Sequence, residues 1–297
     1  MRTNVTPPPP TAARSGVPQL IVTDLDGTFL SPDGTVSEQN RAAVLAAQDV
    51  GIPVLFATGR PVRWLDVIRG LPGAHPTVIA SNGAVLYDLG ADTMLDRRCV
   101  DTDVALAAVV RIRAAVPSAS FAFESGTRFG HEPAYRTWRV GAAADPALFT
   151  GPAEEIARRE DFVKMLVQDR TLSPDQLLQE VRAVVGDTLT VTHSATSDYG
   201  LVEVSGPGVS KASMLQRCCR QLDVDPASVA AFGDMPNDLD MLTFAGLPHV
   251  VANAHPLLLD GRYRIVPGND RSGVGRTILD WVERSRAARR TAPTLTA

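Results

Sequence analysis

Short apolar runs alternate with amphipathic stretches along this chain, and the rhythm changes character twice. The first run, around residues 20–23, stops at Asp24. A helix is predicted over 37–49: Ser37 offers an N-cap, Ala43, Val44 and Ala47 recur at helical spacing, and Gly51 follows the end. Residues 52–57 and 77–80 are continuous apolar runs, the pattern of strands buried on both faces of a parallel sheet. The middle of the chain reads differently. A helix over 102–115 precedes strands near 120–124 and 163–168, and a helix over 175–185 precedes strands near 189–193 and 201–204. Helices followed by paired strands predict an α+β insert. The first rhythm then returns, with a helix over 210–221, a strand over 229–232 and a helix over 237–244.

This order predicts an α/β fold: a Rossmann-like, doubly wound parallel-sheet core over 18–85 and 206–284, interrupted by an α+β cap over 86–205. Residues 1–17 hold four consecutive prolines and read as a disordered leader, and 285–297 read as a disordered polar tail. At 297 residues and 44% apolar the chain can build a substantial core, with Ala, Val and Leu filling it because aromatics are only 5%. A net charge of −4 with dispersed basic residues gives no electrostatic case for nucleic acid or an anionic membrane. No run approaches the ~18 apolar residues of a membrane span. The first residues lack the apolar stretch of a secretory signal, so the expected location is cytoplasmic, and Asn4-Val5-Thr6 matches a glycosylation acceptor by letter alone. Cys99, Cys218 and Cys219 form neither a disulfide framework nor a metal pair and read as reduced thiols.

Candidate chemistry sits at the ends of the apolar runs. In Asp24-Leu25-Asp26-Gly27-Thr28 an extended backbone sends Asp24 and Asp26 to one side and Leu25 to the other. Buried acids there call for a proton or a cation, at the strand ends where open α/β sheets bind ligands. A calcium loop would need a glycine where Phe29 stands and a Glu where Thr35 stands; a plain turn after a strand is the other alternative. Thr58-Gly59-Arg60 brings a hydroxyl and free backbone N–H groups suited to a phosphate oxygen, although Thr58 could equally cap a helix starting at Pro61. Lys211 falls in the first turn of a helix, where the dipole favours anions, so an anion is expected nearby. Asp234, after the strand over 229–232, supplies a third strand-end acid of the kind Mg²⁺ uses. Asn237 and Asp238 open the next helix, with Asp238 either a dipole-favoured cap, a group behind the metal or a metal ligand itself.

Taken together, DLDGT, ATGR, GVSK and GDMPND, in this order, resemble the four motifs of the haloacid dehalogenase-like (HAD) hydrolases. The insert after Ser81-Asn82-Gly83-Ala84 resembles the type IIB cap of the Cof-like branch, as do Val251-Ala252-Asn253-Ala254 and the segment from Asn269 to Val274. The resemblance implies a phosphatase acting on a small phosphorylated metabolite, such as a sugar phosphate, through an aspartyl-phosphate. Asp24 would be the nucleophile and Asp26 the acid/base. Mg²⁺ would be held by Asp24, the carbonyl of Asp26 and Asp234. Thr58, Gly59, Lys211, Asn237 and the N–H of Leu25 would hold the phosphoryl oxygens. Polar and aromatic residues between 123 and 138, including Arg128, His131 and Arg136, are expected to touch the leaving group. A phosphotransferase or phosphomutase would use the same intermediate. A non-catalytic phosphometabolite-binding protein is a third reading, against which the intact set of acids argues.

Overall fold

The structure, a computed structural model, describes residues 16–137, 147–194 and 198–291. The expected leader through residue 15, Trp138 and tail residues 292–297 lie outside the described residues. The chain opens with β1 (Leu20–Thr23), α1 (Glu38–Asp49), β2 (Val54–Ala57), β3 (Ala74–Ala80), β4 (Val85–Asp88) and β5 (Thr93–Arg97). The insert holds α2 (Thr102–Ala115), β6 (Ser120–Glu124), β7 (Phe129–His131), β8 (Leu148–Thr150), α3 (Ala153–Arg159), β9 (Lys164–Asp169), α4 (Pro174–Val185), β10 (Thr190–Thr192) and β11 (Gly200–Ser205). The chain then resumes with α5 (Lys211–Leu222), β12 (Val229–Gly233), α6 (Leu239–Phe244), β13 (Leu247–Val251), β14 (Arg264–Val266) and α7 (Gly273–Thr291).

The core sheet runs β14-β13-β12-β1-β2-β3-β4-β5. Its strands are parallel from β14 through β3, and β4 and β5 return antiparallel. Every residue of β1, β2 and β12 is buried, which requires cover on both faces. Helices α1 and α7 pack together, as do α5 and α6. The insert forms a second sheet, β10-β11-β9-β6-β7-β8, antiparallel except for β7 beside β8. Strand alternation divides its faces. Phe121, Phe123, Met165, Val167, Val202 and Val204 pack with α2 and α4 in a separate apolar cluster. The other face presents Glu124, Lys164, Leu166, Leu201 and Glu203 to the cavity against the core.

Three expectations need correction. Residues 86–97, read as the start of the insert, pair into the core sheet as β4 and β5. The turn over 81–84 sends the chain straight back along β3 before it leaves for the insert. Residues 285–291, read as tail, continue α7, and Arg289 Nη2 donates to the Val50 carbonyl at 2.7 Å. Instead of a helix from Pro61 there is one turn, Val62–Trp64, and one turn at Pro236–Asp238 precedes α6.

The turn after β1 is fastened from three distant parts of the chain. Asn40 Nδ2 donates to the Phe29 carbonyl at 2.5 Å, and its Oδ1 accepts from Gly275 N at 2.9 Å. Asn253 Nδ2 donates to the Gly27 carbonyl at 2.7 Å, and Asn269 Nδ2 to that of Leu30 at 2.8 Å. Asn40 is fully buried, so removing its amide leaves two backbone groups unpaired. Asn40→Ala is therefore expected to lower unfolding free energy by about 1–3 kcal/mol in urea denaturation. A midpoint identical to that of the parent chain would contradict this role.

Candidate active site

The centre of the sheet brings the sequence motifs together, because β1 lies between β12 and β2 and all three run the same way. Asp24 leaves the end of β1, Thr58 follows β2 and Asp234 follows β12. The turn that carries Asp26 closes over Gly27 at φ +76°, where a Cβ would lie 2.2 Å from Asp234 Oδ2. Only glycine allows the first motif to approach the fourth this closely. Gly83 plays the matching part on the other side. With φ +94°, its Cβ would lie 2.1 Å from the Ser210 carbonyl, so the start of α5 rests directly on the turn after β3. Reciprocal bonds between Ser210 and Ser213 cap that helix and set Lys211 at its first position.

Lys211 is fully buried, and the expected anion proves to be two carboxylates: Asp24, bonded through Oδ1, and Asp238, with Oδ1 at 2.7 Å. Asp238 Oδ2 accepts from the N–H groups of Asp234 and Met235 at 3.0 and 3.1 Å, so both of its oxygens are engaged. Asp234 Oδ1 accepts from Thr28 Oγ1 at 2.7 Å. Among the described residues, no hydrogen bond engages Oδ2 of Asp24 or Oδ2 of Asp234. Side-chain oxygens of Asp24, Asp234 and Asp238 lie within 4.8 Å of one another. Burial raises the Asp24 carboxyl well above its usual range, opposed by Lys211 and reinforced by the neighbouring acids. Burial also pushes Asp234 up to about 7, with Asp238 adding to it. Burial would lower the Lys211 ammonium, but Asp238 and Asp24 outweigh it and hold it above its ordinary value. Three acids around one ammonium leave excess negative charge in a buried place, a donor set that suits a divalent cation.

Asp26 differs from the other acids. It is 57% exposed toward the cavity, and Arg60 takes both of its oxygens, Nε to Oδ2 at 2.7 Å and Nη2 to Oδ1 at 2.6 Å. Leu25 buries its side chain in the core and brings only backbone to the site. The Thr58 hydroxyl accepts from Arg60 N at 3.0 Å, forming a local turn rather than a helix cap. Asn237 Nδ2 donates to Asn82 Oδ1 at 2.9 Å.

The insert closes directly on this floor. Lys164 Nζ donates to the Gly59 carbonyl at 2.9 Å and to Glu203 Oε1 at 2.5 Å. Glu203 Oε2 accepts from Asn82 at 2.8 Å and from Ser194 at 3.1 Å. Arg63, from the turn after Pro61, pairs with Glu124. Away from the cavity, Asp175 and His193 of the insert meet His255 of the core: His193 Nε2 is 2.9 Å and His255 Nε2 3.5 Å from Asp175. The N–H of His255 itself donates to the Asp234 carbonyl at 2.7 Å.

Arg128, His131 and Arg136 do not line the cavity. Arg128 lies 3.7 Å from Glu160 and over the Phe149 ring, since alternation sends it away from the cavity-facing Phe129. His131 contacts the Glu132 carbonyl and Thr150, and the Arg136 backbone pairs with Gln168. From the same segment, Glu124, Phe129, Tyr135 and Thr137 do reach the lining. Arg63, Trp64, Lys164 and Glu203 were not anticipated there. Lys164 and Glu203 carried a readable signal, a charge within an otherwise apolar strand.

A sequence model of the haloacid dehalogenase-like hydrolases matches residues 21–278. The 5-amino-6-(5-phospho-D-ribitylamino)uracil phosphatase of Bacillus subtilis is 25% identical over 267 residues, covering 89% of this chain and 96% of that protein. BT1666 of Bacteroides thetaiotaomicron aligns with a TM-score of 0.74 at 21% identity, over 94% of this chain and 99% of that one. The HAD subclass IIB sugar phosphatase BT4131 aligns with a TM-score of 0.72 at 17% identity, over 89% and 98%. At these identities the structural likenesses establish a shared fold. The sequence match is a different matter: it runs from within β1 into α7, through both halves of the core and the insert between them, and the chain belongs to the haloacid dehalogenase-like hydrolases.

Proposed function

We propose that this hydrolase is a Mg²⁺-dependent phosphatase for a small phosphate monoester, working through an aspartyl-phosphate on Asp24. One observation carries the reading: Asp24 and Asp26 line the floor of a cavity that the insert closes, and Lys211 and Asp234 meet Asp24 just beneath it. The relative named a phosphatase and the fold shared with a sugar phosphatase support the same reaction class. Three cysteines without disulfides suit a reducing, cytoplasmic setting.

Asp24 would attack the phosphorus, forming an O–P bond as the ester O–P bond breaks. Asp26 would give its proton to the leaving oxygen, then take one from the water that splits the aspartyl-phosphate and releases free phosphate. Such assistance is typically worth ~10²–10⁴ in rate. Here Arg60 takes both oxygens of Asp26, so the arriving ester must displace the guanidinium before Asp26 reaches the leaving oxygen. Lys211 would offset charge on Asp24 and on the phosphoryl group. Thr58, Gly59, Asn237 and the Leu25 N–H would hold the remaining phosphoryl oxygens, with Asp238 orienting Lys211 from behind. The unengaged oxygens of Asp24 and Asp234, with the Asp26 carbonyl, would hold Mg²⁺. That ion supplies the positive charge that lets a carboxylate approach a phosphate dianion.

Asp24→Asn is expected to stay folded by circular dichroism and to lose at least about 99% of kcat for phosphate release, set against the millionfold accelerations common in enzymes. Retention of more than that residue of activity would remove Asp24 as the nucleophile.

Chelation by EDTA should silence the parent enzyme and added Mg²⁺ should restore it, while Asp234→Ala should need markedly more Mg²⁺ for half-maximal rate. Full activity in metal-free buffer would contradict the cation site.

A further inference from the structure

The cavity above the acids encloses about 620 Å³, room for an alcohol well beyond a simple sugar. Its walls are Trp64, Phe129, Tyr135, Leu148, Leu166 and Leu201. Ala122, Tyr135 and Leu201 form a small apolar cluster of their own, with Phe129 and Leu166 packed against it. Phe129 and Tyr135 meet edge to face at 5.9 Å, and the Arg63 guanidinium lies 5.2 Å from the Trp64 ring and 5.3 Å from that of Phe129. These flat surfaces come from both the core and the insert.

The charged groups in the lining are already matched to one another. Arg63 pairs with Glu124, whose Oε1 also accepts from Gly126 N at 2.9 Å. Glu203 is held by Lys164 at 2.5 Å through one oxygen, and by Asn82 and Ser194 at 2.8 and 3.1 Å through the other. Each oxygen of these two carboxylates already accepts at least one hydrogen bond, and among the described lining residues Arg60, Arg63 and Lys164 are each paired with a carboxylate. Tyr135 and Thr137 add hydroxyls to the lining beside the apolar wall.

Resting on the phosphatase reading, we propose that the preferred substrate is a phosphate monoester whose alcohol is uncharged and carries a flat, largely apolar ring. The ring lies against the aromatic and leucine wall beneath the insert, and its hydrogen-bonding edge meets Tyr135 and Thr137. A polyol in the same place exchanges water for apolar surface, and among the described residues an acidic alcohol must compete with Asp26, Glu124 and Glu203 for cations they already hold.

The test is phosphate release by the full chain with Mg²⁺ from adenosine monophosphate, pyridoxal phosphate, glucose phosphate and phosphogluconate. The ring-bearing esters should exceed the two polyol esters in kcat/KM by at least about tenfold. Leu166→Gln should narrow that ratio several-fold, mainly through KM of the ring-bearing ester, whereas Leu166→Met should preserve it. Equal or better turnover of a polyol ester overturns the ring preference while leaving the phosphatase reading in place. An unchanged ratio in Leu166→Gln overturns the placement of the ring on this wall. Release of phosphate from none of the four overturns the phosphatase reading and this inference with it.

Discussion

An ammonium group held out of water between two carboxylates is the constraint on which this site depends. Lys211 is fully buried at the first position of α5, with Asp24 on one side and Asp238 on the other. A charge so placed is tolerable only while its partners stay, and removing one partner of a buried pair typically costs about 3–5 kcal/mol. The pair therefore locks three elements together: the end of β1, the start of α5 and the loop after β12. The third acid, Asp234, is crowded by Asp238, and burial, the larger cause, pushes it up to about 7. A proton or a divalent cation is what relieves that crowding.

The rest of the architecture serves this arrangement. Gly27 and Gly83 permit contacts that any side chain would block, and three asparagines fasten the turn after β1 from α1, from the segment after β13 and from the approach to α7. The insert reaches the same floor through Lys164 on the Gly59 carbonyl and Glu203 on Asn82. Because Asn82 also accepts from Asn237, the cap strands are connected by hydrogen bonds to a residue beside the acid cluster. The position of the insert and the order of the loops after β2 and β12 are thereby linked.

Much of this was legible in the sequence, for physical reasons. An apolar run that stops on an acid is costly in a sheet interior, so Asp24 and Asp234 marked a site before their proximity was visible. Lys211 at a helix start opposed the dipole and so announced an anion. What stayed hidden depends on which face of an element meets which neighbour. Alternation in β6, β9 and β11 separates two faces, but only the packing of α2 and α4 decides which one looks into the cavity. Lys164 and Glu203 were consequently missed, and Arg128, on the outer side, was expected to touch substrate. The pairing of Arg60 with Asp26 and the anchoring of the turn by Asn40 join residues far apart in the chain, with no local pattern to reveal them. The polar end of α7 looked like a tail because its contacts, such as Arg289 on Val50, are made by charged side chains.

The central claim is that the carboxylate of Asp24 becomes covalently phosphorylated during turnover. Acid-quenching the Mg²⁺-loaded enzyme in steady state, then mapping its peptides by mass spectrometry, tests this directly. The account predicts one phosphoryl group on the peptide spanning Asp24, absent from enzyme quenched before substrate is added. Steady release of phosphate with no phosphoryl group on that peptide, or with the group on another residue, would contradict it.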